Sequence, residues 1–141
     1  MDLGYTDIRA PISGVVGRAL KVEGALATAA GCQLVASCDM AVAAEGTRFG
    51  VNGVNIGLFC STPMVALSRN VPRKQAMEML LTGEPVSAAR ARELGLVNRV
   101  VAAGAEREAA IALAQKVALK SAYTVKLGKQ AFYRQYGLPQ A

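Results

Sequence analysis

An α/β fold is predicted for this chain of 141 residues by three observations. Short β-type runs at Met40–Ala43 and Phe49–Ile56 are punctuated by Gly46, Gly50, Gly53 and Gly57. Segments of helical spacing precede and follow them, most plainly from Pro72 to Thr82. Strands this short, mixed with helices, belong to an α/β arrangement rather than to a bundle or a sandwich. The length suits one domain, and 52% hydrophobic against 18% charged residues supplies a core and excludes disorder as the main state. Aromatics are 5% and Trp is absent, so that core is built from Ala, Val, Leu, Ile and Met.

Each element has its own local reason. Leu26 to Ser37 is small and apolar, with Thr28 placed to cap a helix. A helix start is expected at Ser61-Thr62-Pro63, just after Cys60. Pro72 suits a first helical position. Ala76, Met77, Leu80 and Leu81 then recur at helical spacing, and Gly83 with Pro85 ends the run. Ser87 begins a second short helix, which Gly95 stops. Leu96 to Val101 reads as a strand, rich in β-branched residues. Residues 105–120 form an Ala-rich helix, acidic at its start and basic at its end, which complements the helix dipole. Residues 122–135 are helical as well. Residues 1–23, with Pro11, Gly14 and Gly17, read as a loop or poorly matched lead-in.

Composition excludes several chemistries. The chain has no histidine, so Ser-His-Asp and Cys-His nucleophilic sites, HExxH zinc sites and imidazole switches are absent. Cys32, Cys38 and Cys60 are odd in number and lack CxxC spacing, so neither a disulfide framework nor a bound metal is expected, and a reducing compartment fits. Cys32 and Cys38 suit the core. Cys60 suits a small apolar wall, or a thiol with lowered pKa at a helix start. No run of 18 apolar residues exists, so no membrane-spanning helix is expected, and the first twenty residues show no transit-peptide pattern.

The net charge of +6 is uneven. Residues 1–108 carry eleven basic and ten acidic side chains; residues 109–141 carry Lys116, Lys120, Lys126, Lys129 and Arg134 with no acid. Such a tail attracts anions, whether nucleic acid, anionic lipid or a phosphorylated small molecule, or is simply a solvated helix face. Stacking aromatics interleaved with it are few, namely Tyr123, Phe132, Tyr133 and Tyr136, so nucleic acid is not the expected partner.

The run ALATAAGCQLVASCDMAVAAEGTRFGVNGVNIGLFCSTP, followed by LLTGEPVSAARARELGLVNRVV, resembles the enoyl-CoA hydratase/isomerase (crotonase) superfamily over about 110 residues. The resemblance implies a crotonase-like ββα spiral fragment with C-terminal helices, partial over residues 24–136, between a lead-in at 1–23 and a tail at 137–141. It implies an acyl-CoA thioester as partner, with coenzyme A entering as part of the substrate and no separate cofactor. It also implies fatty-acid metabolism, a mitochondrial setting, and a homotrimer or hexamer of a longer protein. In this family two backbone N–H groups hold the thioester oxygen, one of them at a helix N-terminus. By position Ala30 supplies one, with Ala29 and Gly31 giving clearance for the thioester. A tight, packed helix start is the alternative reading of that turn. The other donor belongs to an upstream family segment that residues 1–24 do not resemble.

Two further positions depart from the pattern. The hydratase branch carries one glutamate just after the turn, where Gln33 stands, and a second after FG-x-x, where Gly53 stands. Water addition uses two carboxylates to position water and pass protons, which an amide and a glycine cannot do. Lyase or isomerase activity therefore remains open, with a non-catalytic acyl-CoA or subunit binder as one alternative. An RNA-binding family member is another. By position Phe49, Phe59 and Met64 are candidate acyl-pocket walls. Lys129 sits where the family often has a lysine near the coenzyme A phosphates, or is a solvated helix lysine.

Overall fold

The computed structural model of the chain describes residues 26–138. The lead-in expected at 1–23 and the last residues, 139–141, lie outside the described residues. The chain divides into two compact units, one spanning residues 17–110 and the other including residues 111–141.

In the first unit, β1 (Leu26–Ala27) leads directly into α1 (Ala29–Ser37). The strands β2 (Val42–Ala44) and β3 (Arg48–Phe49) follow, then a 3₁₀ turn at Asn52–Ile56. Next come α2 (Ser61–Asn70), α3 (Arg73–Thr82), β4 (Val86–Ser87), α4 (Ala88–Glu93) and β5 (Arg99–Val101). α5 (Glu106–Ala118) starts in this unit, and α6 (Ala122–Gln135) belongs to the second. Two small sheets result. In one, β3 is central: it pairs parallel to β1, with Leu26 opposite Arg48 and Ala27 opposite Phe49, and antiparallel to β4. In the other, β2 and β5 run parallel, with Ala43 opposite Val100.

The helices begin and end where their punctuation places them. Gly83 stops α3 in the left-handed conformation at φ +68°, and Gly95, at φ +82°, follows α4. Ser87 caps α4 by accepting the Arg90 N–H at 3.2 Å. Pro72 stands one residue outside α3, in extended conformation as its N-cap.

The strands are shorter than expected, for identifiable reasons. Leu96 and Val97 each donate their N–H to the Ala91 carbonyl and so close α4, which leaves only Arg99–Val101 for β5. The stretch Met40–Ala43 moves on to Val42–Ala44, because Ala41 is bracketed by Asn98: Asn98 N–H donates to Ala41 O, and Ala41 N–H donates to Asn98 Oδ1, both at 2.8 Å. Past Phe49 the Phe49–Ile56 run leaves the sheet. Gly53 donates its N–H to Cys60 Sγ instead of a strand neighbour, and Gly57, at φ +77°, closes the 3₁₀ turn. Asn and Gly are poor strand residues, and here they make a turn.

Within the first unit a core cluster joins β1–β5 and α1–α4. Val51, Leu67 and Leu80 are fully buried in it; Cys32 and Ala36 come from α1 and Phe49 from β3. Among the described residues no charged or polar side chain is buried. In the second unit Phe132 stacks on Tyr136 at 5.4 Å and meets Tyr133 edge-on at 5.3 Å.

Candidate functional site

The N-terminus of α1 follows β1 after a single residue, so its first turn sits at the edge of the β1–β3–β4 sheet. Thr28 occupies the N-cap in extended conformation, but its side chain makes no cap hydrogen bond. The Thr28 carbonyl accepts the N–H of Cys32 at 2.7 Å, the first bond of the helix. The N–H groups of Ala29, Ala30 and Gly31 lie ahead of that bond and have no acceptor within the helix. Ala30 is exposed, while Ala29 and Gly31 are half-buried. Small side chains thus leave a set of aligned donors at the positive end of a helix dipole, suited to a carbonyl oxygen that takes on negative charge.

Gln33 follows Ala30 by three residues and shares its helix face. It is half-buried, and its carbonyl accepts the Ser37 hydroxyl at 2.8 Å. Gly53 lies in the 3₁₀ turn, which the chain reaches from β3 after Gly50 donates its N–H to the Ala27 carbonyl at 3.0 Å. A Cβ at residue 53 would stand 2.7 Å from Cys60 Sγ and 2.7 Å from the Leu58 carbonyl oxygen, so this turn admits only glycine as built. Neither Gln33 nor Gly53 brings a carboxylate to the helix start.

The remaining candidates separate. Phe49 is a core residue, 2% exposed. Phe59 is 46% exposed, in line with Ile56 and Leu58, which are more exposed still. Met64, on α2, is partly buried and packs on the core. Lys129 lies on α6 in the second unit and is exposed.

The cysteines are all free thiols. Burial, with the nearby Cys60 adding to it, pushes the Cys32 thiol up to about 11. Cys38 is also raised, by burial first and then by Asp39. Cys60 is the residue whose place was least readable from the sequence. It is both the N-cap of α2 and the acceptor of the Gly53 N–H at 3.3 Å, a contact across seven residues that no spacing rule signals. Among the described residues no group of three or more His, Cys, Asp or Glu could hold a metal ion, and no helix is long and apolar enough to cross a membrane.

Comparison with known proteins identifies relatives of the chain. The family model for enoyl-CoA hydratase/isomerase matches residues 20–141. The mitochondrial enoyl-CoA hydratase domain-containing protein 3 of Rattus norvegicus is 58% identical over 115 residues, covering 82% of this chain and 38% of that protein. The crystal structure of an enoyl-CoA hydratase from Mycobacterium smegmatis is 59% identical, with a TM-score of 0.78 over 81% of this chain and 44% of that one. The crystal structure of human enoyl-CoA hydratase domain-containing protein 3 is 55% identical, with a TM-score of 0.76 over 81% of this chain and 45% of that one. The chain therefore spans less than half the length of the relatives it matches, and those solved structures share its mixed helix-and-sheet architecture. The chain belongs to the enoyl-CoA hydratase/isomerase family and has the crotonase fold.

Proposed function

We propose that this chain binds an acyl-CoA thioester at the first turn of α1 and does not hydrate it. One observation carries the reading. Ala30, exposed at the second position of the helix, presents an N–H with no helical acceptor, in a turn whose side chains are small enough for close approach. Family membership supports the thioester as the ligand. The oxygen of the thioester accepts from Ala30 N–H, Ala29 and Gly31 leave it room, and Gln33 on the same face orients a polar atom of the ligand or a water. Water addition fails for lack of a base: residue 33 is an amide, residue 53 has no side chain, and no buried carboxylate exists among the described residues. The relatives' names support a mitochondrial setting, and a role in fatty-acid metabolism follows the resemblance alone. Assembly as a trimer or hexamer follows the resemblance, and sedimentation of the purified protein tests it.

Retention of labelled crotonyl-CoA, beside loss of enoyl absorbance in the same preparation, tests the binding reading. Retention without turnover is the expected result. Turnover at the rate of a true hydratase refutes the non-catalytic part, and failure to retain the thioester refutes the whole.

A further inference from the structure

Gly53 and Cys60 are joined more closely than their separation in sequence suggests. The Gly53 N–H donates to Cys60 Sγ at 3.3 Å, and the Gly53 carbonyl accepts the Leu58 N–H at 2.9 Å, so the segment between them closes on itself. The thiol stands where a side chain at residue 53 would begin, 2.7 Å from that Cβ position. Cys60 is 9% exposed and shares the core cluster with Cys32, which lies two residues beyond Ala30 on α1. Cys60 is also the N-cap of α2, the helix that packs against α1. One side chain therefore accepts a hydrogen bond from the 3₁₀ turn, starts a helix packed on α1, and shares a core cluster with Cys32 of the first turn of α1.

We propose that Cys60 is a positioning residue that couples the Asn52–Ile56 turn to the first turn of α1 and keeps the two sides of the thioester site in register. The proposal rests on the reading of that site as an acyl-thioester cradle. Sulfur suits the role: it is a weak, polarisable acceptor, large enough to fill the space of the missing residue-53 side chain and apolar enough for a core position. A residue that only filled volume would be replaceable by any apolar group of the same size.

The test compares Cys60→Ala, Cys60→Val and Cys60→Ser in the 141-residue chain by crotonyl-CoA titration and by amide NMR. Valine keeps the volume and cannot accept the Gly53 N–H, whereas serine keeps an acceptor. The expected result is crotonyl-CoA binding weakened about tenfold in Cys60→Ala and Cys60→Val, with most of it recovered in Cys60→Ser. Hydrogen exchange at the Gly53 amide accelerates in the first two, and the Ala30 amide resonance shifts with it. If Cys60→Ala does not fold, Cys60→Val decides. Wild-type affinity in Cys60→Val, or an Ala30 amide unmoved when the Gly53 amide is released, overturns the proposal. If the wild-type chain fails to bind crotonyl-CoA, the cradle reading fails instead, and the two amides still report whether Cys60 couples the turns.

Discussion

Asn70 donates its side-chain amide to the Ala36 carbonyl at 2.7 Å and to the Ala66 carbonyl at 2.8 Å. One side chain at the end of α2 thus satisfies a carbonyl in the last turn of α1, a group that has no acceptor role within its own helix. The far end of α1 carries the Ala29-Ala30-Gly31 turn, so this bond helps hold the angle at which the donors are presented. Asn70→Ala is expected to lower stability by about 1–2 kcal/mol, read as a shift of the urea midpoint with unchanged slope. It should also weaken acyl-CoA retention, although Asn70 sits at the opposite end of the helix.

The elements that the sequence made readable were those whose ends are marked by local chemistry. Gly83 and Gly95 stop their helices, and Ser87 caps with its own hydroxyl, because each acts on neighbours within a few residues. The strand limits were not readable in the same way. Asn98 fixes where β2 begins by pairing with Ala41, 57 residues away, and Ala91 takes two N–H groups that would otherwise extend β5. The helix start at Ala29, with its small neighbours, was legible from local sequence. Gly53 was legible only as a glycine at a position where the resemblance implies a carboxylate. That the missing side chain is replaced by the Cys60 sulfur depends on a tertiary contact that leaves no periodicity.

Stability should fall with alkaline pH through Cys32. Its thiol is raised from 9.0 in the unfolded chain to about 11 in the folded one, mainly by burial. Above pH 9 the unfolded chain releases this proton while the folded chain retains it, so unfolding gains with rising pH. The stabilisation is whole below pH 9 and lost by about pH 11, a difference of about 2–3 kcal/mol. Urea melts at pH 8, 9 and 10, with Cys32→Ala beside the wild type, isolate the contribution of this thiol. Parallel pH profiles for the two chains contradict the assignment.

Ile56, at the end of the 3₁₀ turn, and Leu58, just past it, are 76% and 63% exposed, close to the half-exposed Phe59. Apolar surface of this kind drives association when nothing covers it. Ile56→Gln with Leu58→Gln is expected to raise the concentration at which the chain stays monodisperse by light scattering. Stability should change by no more than about 0.5 kcal/mol per site, since exposed positions away from caps and packing contribute little. A large loss of stability would show that both side chains are packed in solution.

Placing carboxylates at residues 33 and 53 should not produce hydration. Gln33→Glu is expected to be tolerated at a half-buried position of α1, three residues after Ala30, where a carboxylate keeps access to solvent and meets the dipole of the helix start. Gly53→Glu meets a different environment. Its Cβ would press on Cys60 Sγ and on the Leu58 carbonyl oxygen, each 2.7 Å away, and the second of these is backbone that moves only with the whole turn. Forcing the turn open costs on the order of 1–3 kcal/mol, by analogy with overpacked cores, and breaks the Gly53 N–H bond to sulfur. The double variant is therefore expected to melt below Gln33→Glu alone and to leave crotonyl-CoA absorbance unchanged. Gly53→Ala, which carries the clash without the charge, should account for most of the lost stability. A double variant that folds as well as the wild type and hydrates crotonyl-CoA would mean that the turn yields readily, and that glycine at residue 53 reflects the chemistry this chain performs rather than the space that Cys60 leaves it.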